Sequence, residues 1–364
     1  MPMLGALGGE LERKRPFAGS TIGICLHVEP KTAVLCSVLR AGGADVVLTG
    51  SPGTTQDEVG RALAEDGIMV YGRRDDDATA HRKNIASVLE HRPRLLLDNG
   101  ADLVASVSHD IVGATEETTT GANRLREELA HKVTFPVIVI NDSPLKSIVE
   151  NQHGVGQTIV EGFMRTTNVL IPARRFVVIG YGWCGRGVAR YLKSFGARIG
   201  VIDTDPIRSL EAALDGMRVF ELEEALVWAD VFITVTGRPD ILRREHFERM
   251  RDGVILANAG HFSWEIDLKA IRDLSAASAP AGEGIERFEL VSGKKLYVLT
   301  RGEMLNLAGG GGNPIETMDL GLSLQTFSLM RIATDGSTLA KGPQPVPADI
   351  NQEVARRMLE ALKK

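Results

Sequence analysis

Short apolar runs rich in β-branched residues recur along the chain, and each ends in small or polar residues. In the first half they are TIGICLHV at 21–28, ADVVLTG at 44–50, GIMVYG at 67–72, RLLLDNG at 94–100 and FPVIVIND at 135–142. Between the first four lie segments of helical period, such as TAVLCSVLRAGG and TQDEVGRALAEDG, each closed by glycine, a residue that readily ends a helix. This alternation predicts βαβ units and a parallel sheet, and open sheets of that kind bind ligands beyond the C-terminal ends of their strands. From 176 to 206 the pattern sharpens into strand, glycine turn, helix, glycine, strand and acid: FVVIGYGWCGRGVARYLKSFGARIGVIDTDP. Further strands are expected at 219–222, 230–237, 253–260 and 295–300. Gly154, Gly156 and the run 309–312 suggest a boundary near 155 and a return crossing near 312. GPQPVPADI at 342–350 reads as a linker before a final charged helix.

Composition narrows the class. With 364 residues, two α/β domains are expected rather than one large core. The formal net charge of -5, with Lys and Arg scattered, leaves no electrostatic footprint for nucleic acid or an anionic membrane. No stretch approaches the length of a membrane span, and the first residues, MPMLGALGGELERKR, lack the apolar region of a signal peptide. Cys25, Cys36 and Cys184 form neither a CxxC nor a zinc-spaced cluster, so no metal is expected and a reducing cytoplasm fits best.

The candidate chemistry begins at Gly180, Gly182 and Gly185, a GxGxxG between an apolar strand and a helix. The first glycine permits the tight turn, the second lets backbone approach a pyrophosphate, and the third lets helix and strand pack closely. Asp203, at the end of the next strand, can accept from the ribose hydroxyls of NAD and would repel the 2′-phosphate of NADP. Arg208 nearby could accommodate such a phosphate, but Asp203 decides for NAD. The expected fold is thus a Rossmann-type parallel-sheet NAD domain at 156–312 and a second α/β domain at 1–155 and 313–342, with a linker and helix at 343–364. Three polar segments lie outside this fingerprint: LDNGAD at 97–102, ATEETTTGANRL at 114–125 and NDSPLKSIVENQHG at 141–154. Two acids followed by three threonines make a poor helix start and a poor strand, which leaves a ligand site or a solvated turn.

In order and spacing, EETTTG, NDSxxKSxxxN, GYGxxGxG, DxDP, TGxxD and NxGHFxxEID resemble the pattern of S-adenosyl-L-homocysteine hydrolases, from about residue 20 to about 330. The resemblance implies a substrate domain, a Rossmann domain and a tightly bound, recycled NAD that oxidises a ribose C3′ hydroxyl transiently. The resulting ketone acidifies C4′–H, a base removes that proton, and the group on C5′ leaves. Water then adds and the hydride returns. Carried over by position, Lys146 stands beside the 3′-hydroxyl with Glu150 where the family usually has an aspartate. Glu117 grips the ribose hydroxyls, and His27 and His261 flank the reacting sugar. Thr118, Thr119, Thr120 and Asn151 fall near the nicotinamide and its ribose. Trp183, Cys184, Thr234, Thr236 and Asn306 join the glycines, Asp203 and Arg208 as cofactor residues, and Thr32 and Met318 join the substrate residues. A histidine at a strand end is often structural, so the expectation for both histidines rests on the surrounding match.

The departures cluster at the chemistry. Asn99 occupies the position of a family aspartate that moves protons at C5′, and an amide cannot do so. At the purine end Lys31 stands where a glutamate accepts from the adenine amino group, Glu29 replaces a threonine, and Asn313 replaces a histidine. The family tail, whose lysine and tyrosine reach the NAD of a neighbouring protomer, has no counterpart after Leu362. The leading expectation is an NAD-dependent enzyme acting on a purine nucleoside by 3′-oxidation, C4′ deprotonation and C5′ elimination, in the extreme a nucleoside 5′-dehydratase of specialised metabolism. The alternatives are a hydrolase proper, with Asp98 or a histidine covering for Asn99, and a non-catalytic regulator that binds NAD and nucleoside. A homo-oligomer, dimer or tetramer, is expected by resemblance.

Overall fold

A computed structural model describes residues 1–363 and divides into two compact units, Met1–Ser147 with the chain from Ile315 onward, and Ile148–Pro314. In chain order the strands are β1 Thr21–Leu26, β2 Asp45–Gly50, β3 Met69–Tyr71, β4 Leu95–Asp98, β5 Gly113–Glu116, β6 Pro136–Val139, β7 Arg175–Ile179, β8 Arg198–Ile202, β9 Arg218–Val219, β10 Val231–Thr234, β11 Val254–Asn258, β12 Ser275–Gly282, β13 Ile285–Leu290, β14 Lys295–Leu299 and β15 Gly342–Pro345.

The first unit is a parallel sheet in the order β15-β6-β5-β4-β1-β2-β3. β4, β5 and β6 are buried along their whole length, as a sheet covered on both faces requires. The order reverses between β1 and β4, so the topological switch point, where such folds bind ligands, lies beyond Leu26 and Asp98. The helix Ile315–Asp335 lies directly on β5: a Cβ on Gly113 would stand 2.7 Å from Ile332 Cγ2. Its Asp319 caps a second element, accepting from Met3 N at 2.9 Å and Leu4 N at 2.8 Å in the first turn of the helix Pro2–Lys14.

The second unit is the expected doubly wound sheet, β12-β13-β14-β11-β10-β7-β8-β9, with an antiparallel edge made by β13 between β12 and β14. Its switch point lies between β7 and β10, where the glycine turn begins. Among the described residues no helix is long and apolar enough to cross a membrane.

Several expectations are corrected. The segment at 114–125 is neither poor strand nor bare loop: Glu116 ends β5, and Thr118 caps the helix Thr119–Glu127 by accepting from Gly121 N at 3.0 Å. The expected linker at 342–350 contains β15, an edge strand on which two prolines are tolerated because its outer side needs no donors. Its following helix, Ala348–Ala361, therefore belongs to the first unit. The compact units meet at 147/148 and at 314/315, a few residues from the boundaries expected near 155 and 312. Gly154 and Gly156 do not interrupt the chain: the π-helix Lys146–Gly154 runs straight into the helix Val155–Thr167. Gly156 serves close packing, since a Cβ there would meet Gly187 C at 2.7 Å. The strand expected at 219–222 shrinks to β9, whose two residues are both exposed.

Asp319→Ala strands two amide donors at the start of the first helix and is expected to lower stability by about 1–3 kcal/mol. A urea titration, with amide exchange at Met3 and Leu4, measures it. Asp319→Asn is expected to lose less.

Candidate active site

In the first unit four candidate side chains come from just beyond a strand's C-terminal end. His27 follows β1, Asn99 follows β4, Glu117 follows β5 and Lys146 lies seven residues after β6. Two buried carboxylates build the floor. Asp98 accepts from Asn99 N at 3.0 Å and Val104 N at 2.9 Å. Glu116 accepts from Gly100 N, Ala101 N, Thr118 N and Thr118 Oγ1 at 2.7 to 3.0 Å. Burial above all, with the charge of Asp102 acting on Asp98 and that of Asp98 on Glu116, pushes both carboxyls above the usual carboxylate range. Asp98 is thus occupied in holding the turn after β4. Asn99 itself is 3 % exposed, and its Oδ1 has no partner among the described residues.

Above this floor Lys146 Nζ donates to Glu117 Oε1 at 3.1 Å, both side chains being buried. His27 Nδ1 lies 2.7 Å from Thr54 Oγ1, which fixes the ring plane. Burial first, and the charge of Lys146 second, lower its pKa to about 4, so the imidazole is neutral at physiological pH and able to accept a proton. Thr32 Oγ1 donates to His27 O at 2.7 Å and thus shapes the turn after β1. Lys31 Nζ stands 2.6 Å from Glu29 Oε2, with the two side chains 11% and 4% exposed. Burial raises the Glu29 pKa while Lys31 opposes the rise. Met318 is half-buried on the first turn of its helix.

In the second unit the three glycines do different work. Gly180 has φ +103°, and a Cβ there would meet Val235 O at 2.9 Å. A Cβ on Gly185 would stand 1.9 Å from Gly180 O, so helix and strand can pack only around glycine. Gly182 has an ordinary φ of -70°, and the nearest atom to an added Cβ is Arg208 Nη1 at 3.8 Å. Nothing within the chain demands glycine at 182, which is what a pyrophosphate seated against the start of the helix Trp183–Ser194 would require. Asp203 accepts from Tyr181 N at 2.6 Å and Asp205 N at 2.9 Å, one bond at each oxygen, leaving a lone pair on each for ribose hydroxyls. Arg208 lies 3.9 Å from Asp203 and 3.5 Å from Asp205, so two carboxylates face the one cation. Asn306 is buried, and its Oδ1, without a partner among the described residues, is an acceptor suited to a carboxamide N–H. The residues present fit NAD.

Other predicted cofactor residues are already engaged within the chain. Thr118 caps a helix and Thr119 Oγ1 donates to Asn141 Oδ1. Thr234 Oγ1 donates to Asn258 Oδ1, and Thr236 donates through N and Oγ1 to Glu265 Oε2. Thr120 is half-buried on its helix, Asn151 is buried and Glu150 is 5% exposed on the π-helix, a form frequent at functional sites. Trp183 is exposed under Arg186, Cys184 is half-buried, and His261 stacks edge-on against Phe262.

Sequence reading missed Thr54, Asn258 and Glu265 as parts of the machinery. Asn258 Nδ2 donates to the carbonyls of Gly260, Phe262 and Gly302, fixing the loop that carries His261. Asn258 and Glu265 do lie in the NxGHFxxEID segment, so their signal was present; Thr54 has none.

Comparison with known proteins agrees with this geometry. Residues 151–312 match the family model described as S-adenosyl-L-homocysteine hydrolase, NAD binding domain, and residues 1–112 match S-adenosyl-L-homocysteine hydrolase. An S-inosyl-L-homocysteine hydrolase of Methanopyrus kandleri is 43% identical over all of this chain and 88% of its own length. An adenosylhomocysteinase of Thermotoga maritima is 39% identical over all of this chain and 92% of its own. In fold alone, the chain resembles a dipicolinate synthase polypeptide from Bacillus halodurans, with a TM-score of 0.54, 14% identity, and coverage of 87% of this chain and 99% of that one.

Gly182→Ala is expected to leave the thermal midpoint of NAD-free protein unchanged and to weaken NAD binding about tenfold or more, by calorimetry. Gly185→Ala is expected to lower the midpoint itself. For His27 the folded pKa is depressed, so the unfolded chain binds the extra proton. Stability is thereby lost as pH falls from about 6.5 through about 4, and the difference in urea midpoint between wild type and His27→Gln measures the loss. A flat difference across that window would contradict it.

Proposed function

The chain belongs to the S-adenosyl-L-homocysteine hydrolase family and uses NAD, and from that premise we propose that it cleaves the C5′–S bond of an S-nucleosyl-L-homocysteine whose base is a 6-oxopurine. The observation that carries this reading is the buried Lys31–Glu29 pair. A 6-oxopurine presents an acceptor, O6, beside a donor, N1–H. A lysine ammonium beside a carboxylate is the matching donor and acceptor. With Lys31 at the 6-position, adenine would set an amino donor against an ammonium donor and leave both unsatisfied in a buried site, a mismatch that enzymes built on hydrogen bonding reject strongly. Relatives named S-inosyl-L-homocysteine hydrolase, 43% and 41% identical, support it.

Bound NAD supplies the reversible oxidation of the ribose 3′-hydroxyl. The protein's own residues do the rest. Glu117 holds Lys146 Nζ at the sugar, where the amine, once it has given up a proton, takes that of the hydroxyl. Glu150 cooperates with it as the second proton-handling group. The C4′ proton passes to Glu150 and later returns; the thiolate leaves C5′, and His27, neutral and oriented by Thr54, takes a proton from the water that adds there and passes it to the thiolate.

A second reading is favoured by Asn99. Its amide transfers no proton, and Asp98 is committed to Asn99 N and Val104 N. General acid–base catalysis of water addition would then rest on histidine alone, and its loss is typically a factor of about 10² to 10⁴. In that reading the reaction stops at the 4′,5′-unsaturated nucleoside.

One assay separates these. NAD-loaded enzyme is given S-inosyl-L-homocysteine and S-adenosyl-L-homocysteine separately, with thiol release and nucleoside mass as readouts. We expect homocysteine and inosine, a preference for the inosyl substrate on the order of a hundredfold in kcat/KM, and its reversal or collapse in Lys31→Glu. Preference for the adenosyl substrate in the unaltered enzyme would refute the base assignment. Thiol release with a nucleoside lighter than inosine by one water would establish the second reading.

A further inference from the structure

Four side chains in the second unit form a directed chain of hydrogen bonds that ends on Glu150. Thr158 Oγ1 lies 2.7 Å from Gly154 O, which can only accept, so the hydroxyl donates there. Its oxygen is thereby an acceptor for Asn306 Nδ2 at 3.2 Å. The second hydrogen of that amide nitrogen reaches Asn313 Oδ1 at 3.1 Å. This fixes the amide of Asn313 with its NH2 toward Glu150, and Nδ2 lies 3.3 Å from Glu150 Oε1. One backbone carbonyl thus orients the whole series, and the last donor meets a carboxylate, the partner that it needs.

The glycine run before Asn313 is built for this return. Gly310 passes so close to Asn306 O that a Cβ would stand 2.9 Å away, and Gly309 as close to Thr166 Oγ1, at 2.7 Å. Gly312 has φ +70° and donates to Asn306 O at 2.8 Å. The run is wound tightly over the short helix Leu305–Ala308 and delivers Asn313 back onto Asn306.

We infer that Asn313 is a positioning residue for Glu150, and that the combined length of the two side chains sets where the Glu150 carboxylate stands. Glutamate with asparagine spans the gap. Aspartate with asparagine falls one methylene short, and aspartate with glutamine spans it again. The inference rests on the proposed function for its kinetic consequence, because there Glu150 handles a proton at the sugar, but the pairing itself does not depend on turnover.

The test is a set of full-length, NAD-loaded variants: Glu150→Asp, Asn313→Gln and the double variant. Each single change is expected to lower kcat about tenfold or more with KM changed less than about twofold, and the double to recover most of the loss. A double variant no better than the product of the singles would overturn the pairing. A second readout needs no turnover. In protein with isotope-labelled asparagine, the side-chain amide signal that vanishes in Asn313→Ala is expected to shift in Glu150→Asp. An amide signal indifferent to Glu150→Asp would overturn the pairing too. If the wild type turns over neither thioether while that signal shifts as expected, the functional reading falls and the pairing stands.

Discussion

The loops at the C-terminal edge of the first sheet are tied together chiefly by one buried carboxylate, Glu116, with Asp98 beside it. A parallel sheet leaves the turns beyond its strand ends short of partners, and buried amide donors left unpaired are costly. Glu116 collects donors from the turn after β4 and from the start of the helix after β5. It thereby sets Asn99 and Glu117 in fixed places just beyond the ends of neighbouring strands. The demand for space is as strict as the demand for donors, since a Cβ on Gly121 would stand 2.2 Å from Glu116 Oε1. Glu117, placed in this way, can hold Lys146.

The second unit repeats the device with Glu265. Its carboxylate takes Thr236 N, Thr236 Oγ1 and Gly237 N, and a Cβ on Gly260 would meet its Oε1 at 1.7 Å. Burial raises its pKa, and the three donors oppose the rise. Each unit therefore uses a glutamate as an internal tie between loops at the C-terminal edge of a sheet. Rigid loops at that edge are what a reaction with several proton transfers needs, because small misplacements of a base are expensive in rate.

Against this shared scaffold the departures form a coherent set. On the function proposed above, the ion pair of Lys31 and Glu29 would change which edge of a base is complementary, whereas Asn99 would change which proton transfers remain available. Glu150 and Asn313 alter two family positions in contact with each other. Substitutions that touch one another are free to compensate, which is why the altered residue types by themselves say little about lost function.

Local pattern in the sequence was enough for the two α/β units, the glycine turn, and the place of Asp203 and several other candidates at strand ends, because those follow from period and backbone freedom. It was not enough for β15, since proline and glycine read as linker until a neighbouring strand supplies the pairing. Nor could it tell that Gly156 packs where Gly182 does not: the two look alike until the atoms opposite each are known. The roles of Thr118, Asp98 and Asn313 were decided only by the tertiary structure, because a hydroxyl, carboxylate or amide takes its role from the partner it meets, and those partners come from distant strands and loops.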